Sequence, residues 1–404
     1  MIRLLFITDN FPPEFNAPAS RTFEHINEWN KDNDVEIIVI TCFPNFPFGK
    51  IYKGYKNKLY KIENINGIKL IRVWSYIAKN EGKFHRIIDF LSFSLMASIV
   101  GTLLKTDLII ATSPQFFTTW SAFFISKIKR VPWIFELRDL WPETIHAVNA
   151  IKNKKILKIL EKVELALYRD CSKVIALTDS FKNNLISRGI NKSKIEVIKN
   201  GVNLNLFREN ANEIKSNLFH NLKDRFLIAY IGTHGMTHGL DFIIKSIPRL
   251  KIKNIHFIFI GDGAMKVMLK KLAKELFIEN ITFLDSIKKE EIPSYYSSID
   301  VALVVLKKNK TFEKVIPSKI FEACALSRPI LLGVDGEAKE LIKQYNAGVS
   351  FVPENLNEFR KSILKLMDKK YYKRCQLGCK NLANDFNRED LANKMLKILK
   401  NTVN

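Results

Sequence analysis

A Pro-Ser pair, Pro317-Ser318, opens an apolar helix, and Glu322 follows one turn inside that helix. Proline is favoured in a first helical turn, because its missing N–H group would be unpaired there anyway. We therefore expect the N–H groups of Ser318, Lys319 and Ile320 to point out of the helix start, with the positive end of the helix dipole behind them. Such a tip binds anions, and a nearby carboxylate can accept hydrogen bonds from a vicinal diol. The pattern predicts a nucleoside diphosphate pocket, with the diphosphate at Ser318 and Lys319 and the ribose at Glu322.

Two glycine-rich turns follow neighbouring apolar runs in the second half of the chain. The first reads GTHGMTHG from Gly232 to Gly239, and the second is Gly261-Asp262-Gly263. Turns of this kind expose backbone N–H groups to phosphate. They add five candidate donor-site residues: Gly232, Thr233, His234, His238 and Gly261. The alternatives are that both segments are ordinary structural turns and that the two histidines lie on the surface of the first helix.

Charged residues also follow an apolar run in the first half, in the segment FELRDLWPE at 135–143. Polar groups at the carboxyl end of a strand are candidate site residues in open α/β sheets, so Arg138 and Asp139 are expected to orient acceptor or sugar hydroxyls. They could also simply pair with each other. The loop 9–21 is expected to line the same cleft, and Asn16 lies in a stretch small enough for close backbone approach.

Apolar strand-like runs alternate with helical patterns along the whole chain. This alternation is typical of parallel strands that are buried on both faces. The prediction is an α/β protein with two Rossmann-like, doubly wound domains, residues 1–205 and 206–387, facing across a cleft. A polar stretch, 203–225, is predicted to link them, and a terminal helix, 388–404, is expected to pack back on the first domain. Asn66-Gly67 predicts a β-hairpin.

The 404 residues carry a formal net charge of +23, which favours phosphate-rich partners: nucleic acid, an anionic membrane or a nucleotide. A Lys-rich coding bias would also contribute to this charge.

The five scattered cysteines indicate reduced, cytosolic thiols, and no secretory signal is expected. The nearly apolar stretch 87–104 is expected to be a buried or membrane-lying helix rather than a free membrane span.

Several other enzyme classes are not supported by the sequence. It contains no GxxxxGK[ST], GxSxG or HExxH motif. The single Asp-x-Asp, at 32–34, precedes a strand and is expected to form a turn. Cys375 and Cys379 share a helical face without further ligands, so no metal site is expected there. We therefore expect neither a metal ion nor another cofactor.

The order and spacing of these motifs resemble the bacterial retaining glycosyltransferases of family 4, which have the two-domain GT-B fold. The resemblance covers nearly the whole chain and rests on RDLWPE (138–143), NGVNLNLF (200–207), GTHGMTHGLD (232–241), IGDG (260–263) and PSKIFEA (317–323). The nearest likeness is to O-antigen and capsule enzymes that transfer an N-acetyl-fucosamine-type sugar. That subgroup typically carries FPPE near its start, as residues 11–14 do here.

This resemblance implies a UDP-linked N-acetylated deoxyhexose as donor and an undecaprenyl-diphosphate-linked saccharide as acceptor. It implies that Glu322 holds the donor ribose, that Ile287 lies near the base, and that Arg138, Asp139, His238 and Lys319 form the catalytic set. The chain departs from the family pattern at four positions. Lys314 stands where the first glutamate of the Glu-x7-Glu pattern falls, Thr233 and His238 replace the usual Arg and Lys, and Arg138 replaces the usual His.

The implied location is the cytoplasmic face of the plasma membrane, with peripheral contact to anionic lipid. The basic charge, the helix at 84–104 and the aromatic loop 43–48 motivate this expectation. Two other functions remain open from the sequence. One is a GT-B-fold nucleotide-sugar epimerase, and the other is a non-catalytic basic module that binds nucleic acid or membrane. The scattered lysines carry no nucleic-acid-binding signature, so no nucleic-acid partner is expected.

Overall fold

The computed structural model describes residues 1–14, 16–46, 49–77, 83–113, 116–144, 153–210 and 219–403. The chain forms two compact units, one made of Met1–Lys199 with Glu389–Asn404 and the other of Asn200–Arg388. Four of the predicted segments extend beyond the described residues. These are the loop 9–21 at Phe15, the aromatic loop at residues 47–48, the polar stretch at residues 211–218 and the terminal helix at residue 404.

The first unit is built on a sheet with the strand order β3-β4-β2-β1-β5-β6-β7-β8. Its strands are β1 (Ile2–Ile7), β2 (Val35–Cys42), β3 (Tyr60–Ile65), β4 (Ile68–Val73), β5 (Leu108–Thr112), β6 (Trp133–Leu137), β7 (Lys173–Ala176) and β8 (Ile195–Val197). Its described helices begin with α1 (Ala17–Trp29), α2 (Lys83–Leu103), α3 (Phe116–Lys129), α4 (Lys154–Asp170) and α5 (Asp179–Ser187).

All neighbouring strands of this sheet pair in parallel except β3 and β4. The turn between those two strands is made by Asn66 and Gly67, with φ of 52° and 82°, so the predicted hairpin is confirmed. Strands β5 and β6 are buried at every position, because helices cover both faces of a parallel sheet. The carboxyl end of β6 leads directly to Arg138 and Asp139.

The second unit contains a six-stranded parallel sheet with the order β11-β10-β9-β12-β13-β14. Its strands are β9 (Phe226–Ile231), β10 (Ile255–Ile260), β11 (Ile281–Leu284), β12 (Val301–Val305), β13 (Ile330–Gly333) and β14 (Gly348–Ser350). Its described helices are α6 (Leu204–Asn210), α7 (Leu240–Leu250), α8 (Lys266–Glu275), α9 (Ile292–Ser297), α10 (Lys319–Ala325), α11 (Glu337–Tyr345), α12 (Leu356–Met367) and α13 (Lys369–Asp385).

The polar stretch expected to be a linker contains helix α6. Leu204 and Phe207 of this helix are buried in the core of the second unit, next to Val202. The expected boundary between residues 205 and 206 therefore falls inside the second unit, which begins at Asn200.

The two ends of the second unit are hydrogen-bonded to each other. Val202 and Asn387 form an isolated parallel bridge. The Val202 N–H donates to the Phe386 carbonyl at 3.1 Å, and the Arg388 N–H donates to the Val202 carbonyl at 2.9 Å. The Arg388 guanidinium also donates to the Gly201 carbonyl. The chain thus enters and leaves this unit side by side.

The last helix, α14 (Arg388–Val403), packs in the first unit, as expected from the sequence. The indole N–H of Trp29 donates to the Ala392 carbonyl at 2.8 Å. Lys400 Nζ lies 2.7 Å from the Asp32 carboxylate. Met395 and Leu399 are fully buried in the same cluster as Trp29, so this helix completes the core of the first unit.

Candidate functional site

The two glycine turns of the second unit pack against each other after the neighbouring strands β9 and β10. Gly232 and Gly261 have φ of 138° and 136°, a region that L-residues with side chains rarely adopt. A Cβ atom on Gly261 would lie 2.0 Å from the Gly232 carbonyl oxygen, so this position accepts only glycine. A Cβ on Gly232 would lie 3.0 Å from Lys319 Nζ. Because Gly232 has no side chain, the Lys319 ammonium can lie next to the backbone of this turn.

Lys319 extends from the first residue of α10 to the face of a tyrosine. Its Nζ lies 3.7 Å from the ring centroid of Tyr230, at the end of β9, which is a cation–π contact. Burial lowers the pKa of Lys319 to about 7, although the nearby charge of Glu322 acts in the opposite direction. Tyr230 is itself fixed, because its hydroxyl donates to the Thr233 carbonyl at 2.7 Å. The structure therefore gathers Gly232, Thr233 and Lys319 around one ring.

His238 lies on the other side of the same cluster. Its ring centroid is 5.9 Å from that of Tyr230, and its backbone N–H donates to the Gly235 carbonyl at 3.2 Å. Burial and the charge of Lys319 lower the pKa of His238 to about 3. A histidine with this pKa is neutral at pH 7, so His238 adds no positive charge to the site. It can still act as a neutral hydrogen-bond donor.

His234 is completely buried rather than a surface residue of the first helix. Its backbone N–H donates to the Asp262 carbonyl at 2.7 Å, and its carbonyl accepts from the Met265 N–H at 3.0 Å. Its ring packs near Tyr230 and Phe259, and burial lowers its pKa to about 4. His234 thus ties the two glycine turns together, and its ring is not offered to a ligand in this structure.

The start of α10 differs in detail from the expected helix tip. Ser318 already has helical geometry, with φ of −59° and ψ of −29°. The Ile320 N–H donates to the Pro317 carbonyl at 3.1 Å, so the expectation that it is free for an anion is wrong. Glu322 lies in the first turn and is half-buried. The buried side chains of Ile320 and Phe321 anchor this turn in the core.

Lys266, which is not among the residues predicted from the sequence, holds the carboxyl ends of β10 and β11 together. Its Nζ donates to the Gly261 carbonyl at 2.7 Å and to the Leu284 carbonyl at 3.1 Å, and it pairs with Asp285. The segment that follows carries Ile287, which packs at the edge of the second unit's core. The sequence shows a lysine five residues after Gly261, but it does not show that this lysine is buried.

The remaining candidates lie in the first unit. Asn16 caps α1, since its side chain accepts from the Ala19 N–H at 2.8 Å. The Arg138 N–H donates to Ser113 Oγ at 2.9 Å, and its guanidinium reaches the Pro18 carbonyl at 3.5 Å. Arg138 therefore meets the start of α1, two residues beyond Asn16.

Asp139 is held by a hydroxyl. Its carboxylate accepts from Thr144 Oγ1 at 2.6 Å, and burial raises its pKa. Just before it, Glu136 forms a buried ion pair with Arg21 at 3.1 Å, and both side chains are 2% exposed. This pair could not be predicted from the sequence, because the two residues lie far apart in the chain.

Within the described ranges, no group of three or more His, Cys, Asp or Glu side chains is placed to hold a metal ion. Asp32 accepts the Asp34 N–H at 3.0 Å and pairs with Lys400, so the Asp-x-Asp forms a turn as predicted. All five cysteines are buried and unpaired.

Comparison with known proteins assigns the two halves of the chain. Residues 21–206 match the sequence model for Glycosyltransferase Family 4, and residues 211–382 match that for Glycosyl transferases group 1. The chain is a glycosyltransferase with the GT-B fold. The expected fold class is therefore confirmed, including the two Rossmann-like domains.

The glycosyltransferase has relatives in sequence and in structure. It is 22% identical over 334 residues to WcaI of Escherichia coli, named for colanic acid biosynthesis, and the match covers 80% of this chain and 81% of that protein. Sucrose-phosphate synthase from Thermosynechococcus elongatus aligns with a TM-score of 0.78 and 14% identity, over 99% of both chains. Anabaena HepE in complex with UDP-glucose aligns with a TM-score of 0.73 and 15% identity, over 99% of this chain and 100% of that one.

Proposed function

We propose that this glycosyltransferase moves a sugar from a nucleoside-diphosphate donor to a lipid-linked saccharide, with retention of configuration at the anomeric carbon. The observation that carries the proposal is the Lys319 ammonium beside the Gly232 turn. In the described part of the chain this ammonium contacts a ring face and has no hydrogen-bond acceptor. A buried cation without an acceptor is costly unless an anion binds to it. A donor diphosphate would supply that anion.

The rest of the donor would lie along the same edge of the sheet. Thr233 is exposed and Gly232 is half-buried, so a diphosphate would approach the first turn there, with the buried Gly261 supporting the turn from behind. Ser318 flanks the start of α10. Glu322 would accept hydrogen bonds from the ribose hydroxyls. Ile287 would contact the base.

Catalysis would then consist of stabilising the leaving group. The bond between the anomeric carbon and the diphosphate oxygen breaks, while the acceptor hydroxyl approaches from the same face of the sugar. Negative charge builds on the departing phosphate, where preorganised donors are most effective. Lys319 would supply the positive charge there, and neutral His238 would donate a hydrogen bond. The hydroxyl proton passes to the leaving phosphate, so the step needs no separate base, and we propose that it needs no metal ion.

Residues of the first unit would orient the acceptor. Arg138 and Asp139 follow a buried strand, and both side chains are positioned by hydrogen bonds. Asp139, whose pKa is raised by burial, would orient a sugar hydroxyl. Asn16, which caps the helix that Arg138 contacts, would border the same site.

The names of the relatives support a role in polysaccharide synthesis. WcaI is named for colanic acid biosynthesis, and HepE has been solved with UDP-glucose. We infer that the donor is a UDP-linked N-acetylated deoxyhexose and that the acceptor is an undecaprenyl-diphosphate-linked saccharide of O-antigen or capsule synthesis. The enzyme would work at the cytoplasmic face of the plasma membrane, in peripheral contact with anionic lipid. The comparisons do not favour the epimerase or the non-catalytic basic module.

Nucleotide binding with and without the ribose hydroxyls tests the donor site. A ligand that binds only the folded state raises its melting temperature. UDP should raise the melting temperature more than UDP lacking the 2′ and 3′ hydroxyls. Glu322→Ala should remove the difference, whereas Glu340→Ala, an exposed glutamate on α11, should preserve it. Equal shifts for both nucleotides in the unmodified protein would refute the role of Glu322, and no shift with any nucleoside diphosphate would refute the donor site itself.

A further inference from the structure

Helix α2 exposes large apolar side chains at every fourth residue along its length. Five of them are between 42% and 81% exposed: Ile87, Leu91, Leu95, Ile99 and Leu103. The only charged residue between the first and the last of these is Asp89. Residues four apart lie on one side of a helix. An exposed apolar strip of this length is unusual for a water-facing surface and indicates an interaction site.

The opposite face of α2 is packed into the first unit. Phe93 and Ala97 are fully buried, and Ser94 forms a hydrogen bond with Ser121 of α3 at 3.1 Å. A Cβ on Gly101 would lie 2.4 Å from the Ile125 side chain, so the two helices are in close contact there. The segment His85–Leu103 is the one described helix long and apolar enough to cross a membrane, with a mean hydropathy of 1.5. Its packing on α3 instead favours a position in the plane of a surface.

Helix α3 continues the apolar surface. Phe124 and Ile128, on either side of the contact with α2, are 47% and 65% exposed. Residues 83–105 and 116–130 together contain six Lys or Arg residues and one Asp. Arg86, Lys127 and Arg130 are exposed at the ends of these helices. The strip is thus apolar in the middle and basic at its ends.

We propose that the exposed faces of α2 and α3 insert into the headgroup region of an anionic bilayer, with α2 lying parallel to the membrane plane. This inference rests on the proposed lipid-linked acceptor and assigns the surface that would bring the enzyme to it. The apolar side chains would enter the boundary between headgroups and acyl chains, and the basic residues would meet anionic phosphates. A second copy of this chain would gain little from the surface, because the basic ends of the two copies would repel each other.

Flotation of the full-length protein with vesicles tests the proposal. Vesicles of phosphatidylcholine with phosphatidylglycerol should bind the protein, and added salt should weaken binding, since salt screens the lipid charge. The double variant Leu95→Glu/Ile99→Glu should bind more than about ten-fold less tightly, because two apolar groups no longer enter the bilayer. The control Val267→Glu/Phe277→Glu changes two residues of the second unit that are 82% and 89% exposed, and it should bind like the unmodified protein.

A probe at Leu95 reports the contact directly. All five native cysteines are buried, so the variant Leu95→Cys can be labelled selectively with an environment-sensitive dye. Its emission should shift to the blue on anionic vesicles. No shift, equal binding by both double variants, or a dimer in light scattering that only Leu95→Glu/Ile99→Glu dissociates would overturn the proposal. Melting shifts with UDP, measured without vesicles, distinguish this failure from a failure of the donor site.

Discussion

The buried ammonium of Lys319, which we propose binds the donor diphosphate, should destabilise the ligand-free protein. Lys319→Met removes the charge and keeps an unbranched apolar chain of similar length against Tyr230. The variant should therefore unfold less readily than the unmodified protein, although it should lose nearly all transfer activity. Opposite effects on stability and activity are typical of a group placed for function.

The size and sign of the stability change follow from the pKa. Burial lowers the pKa of Lys319 from 10.5 to about 7, so the unfolded chain binds a proton between these values that the folded chain releases. Stability of the unmodified protein should therefore rise with pH across this window. At pH 7 the penalty is roughly 4 kcal/mol at most, and it vanishes near the unfolded pKa. Part of the side chain is exposed, so we expect a gain of about half that value for Lys319→Met.

Denaturant unfolding at pH 6 to 9, with and without UDP, measures both effects. The ligand-free difference between Lys319→Met and the unmodified protein should shrink as pH rises, and UDP should stabilise only the unmodified protein. In transfer assays kcat/KM should fall as pH rises through about 7, because the proposed role of Lys319 requires its protonated form in the free enzyme. The variant should lack this limb, and its kcat should fall by about 10²- to 10³-fold.

Lys361→Met, at an exposed lysine of α12, is the matched control and should change neither the pH profile nor turnover. Equal stability of Lys319→Met and the unmodified protein at both pH 6 and pH 9 would contradict the cost assigned to the buried charge. A descending limb near pH 7 that persists in the variant would show that another group causes it.

Three further substitutions test neighbouring parts of the site. His238→Ala should lower kcat by about ten-fold or more, because a neutral hydrogen-bond donor is lost, and the pH profile below pH 6 should not change. If the substitution removed a decrease in activity at acidic pH, His238 would titrate there and would not already be neutral. Gly261→Ala should lower the free energy of unfolding in urea by about 3 kcal/mol or more, because its Cβ would meet the Gly232 carbonyl. The control Gly54→Ala, also at positive φ but with no atom within 4 Å of the added Cβ, should lower it less. Equal losses of stability would show that backbone strain alone is responsible. Asp139→Asn should reduce transfer more than UDP binding in calorimetry, and equal losses would place this carboxylate outside the acceptor side.

The sheets were predictable because their strands are long and uniformly apolar. β6 and β10 are buried at every position, and such runs have no other stable location in a protein of this class. The hairpin at Asn66-Gly67 was equally clear, since few residue pairs adopt both positive φ values. β14 was missed, because its three residues carry no pattern that distinguishes them from a loop.

The glycine turns and the start of α10 could be selected from the sequence as candidate site elements, but their contacts could not be predicted. Helix α6 lies in a stretch that looked like a polar linker. The burial of its two apolar residues could not be predicted, because it depends on packing against Val202. His234 was expected in the donor site, with a helix-surface position as the alternative, because nothing local shows that the second glycine turn folds over it. The neutral state of His238 and the burial of Lys266 likewise depend on neighbours that are distant in the chain. Tertiary contacts decided all four cases.

The second unit has the topology of an insertion. Its first and last segments are joined by the bridge between Val202 and Asn387, and α14 then returns to complete the core around Trp29. A fragment ending at Lys199 would lack that helix and should aggregate. Residues 200–388 form a compact unit whose two ends are adjacent, so two cuts would be enough to exchange this unit between relatives.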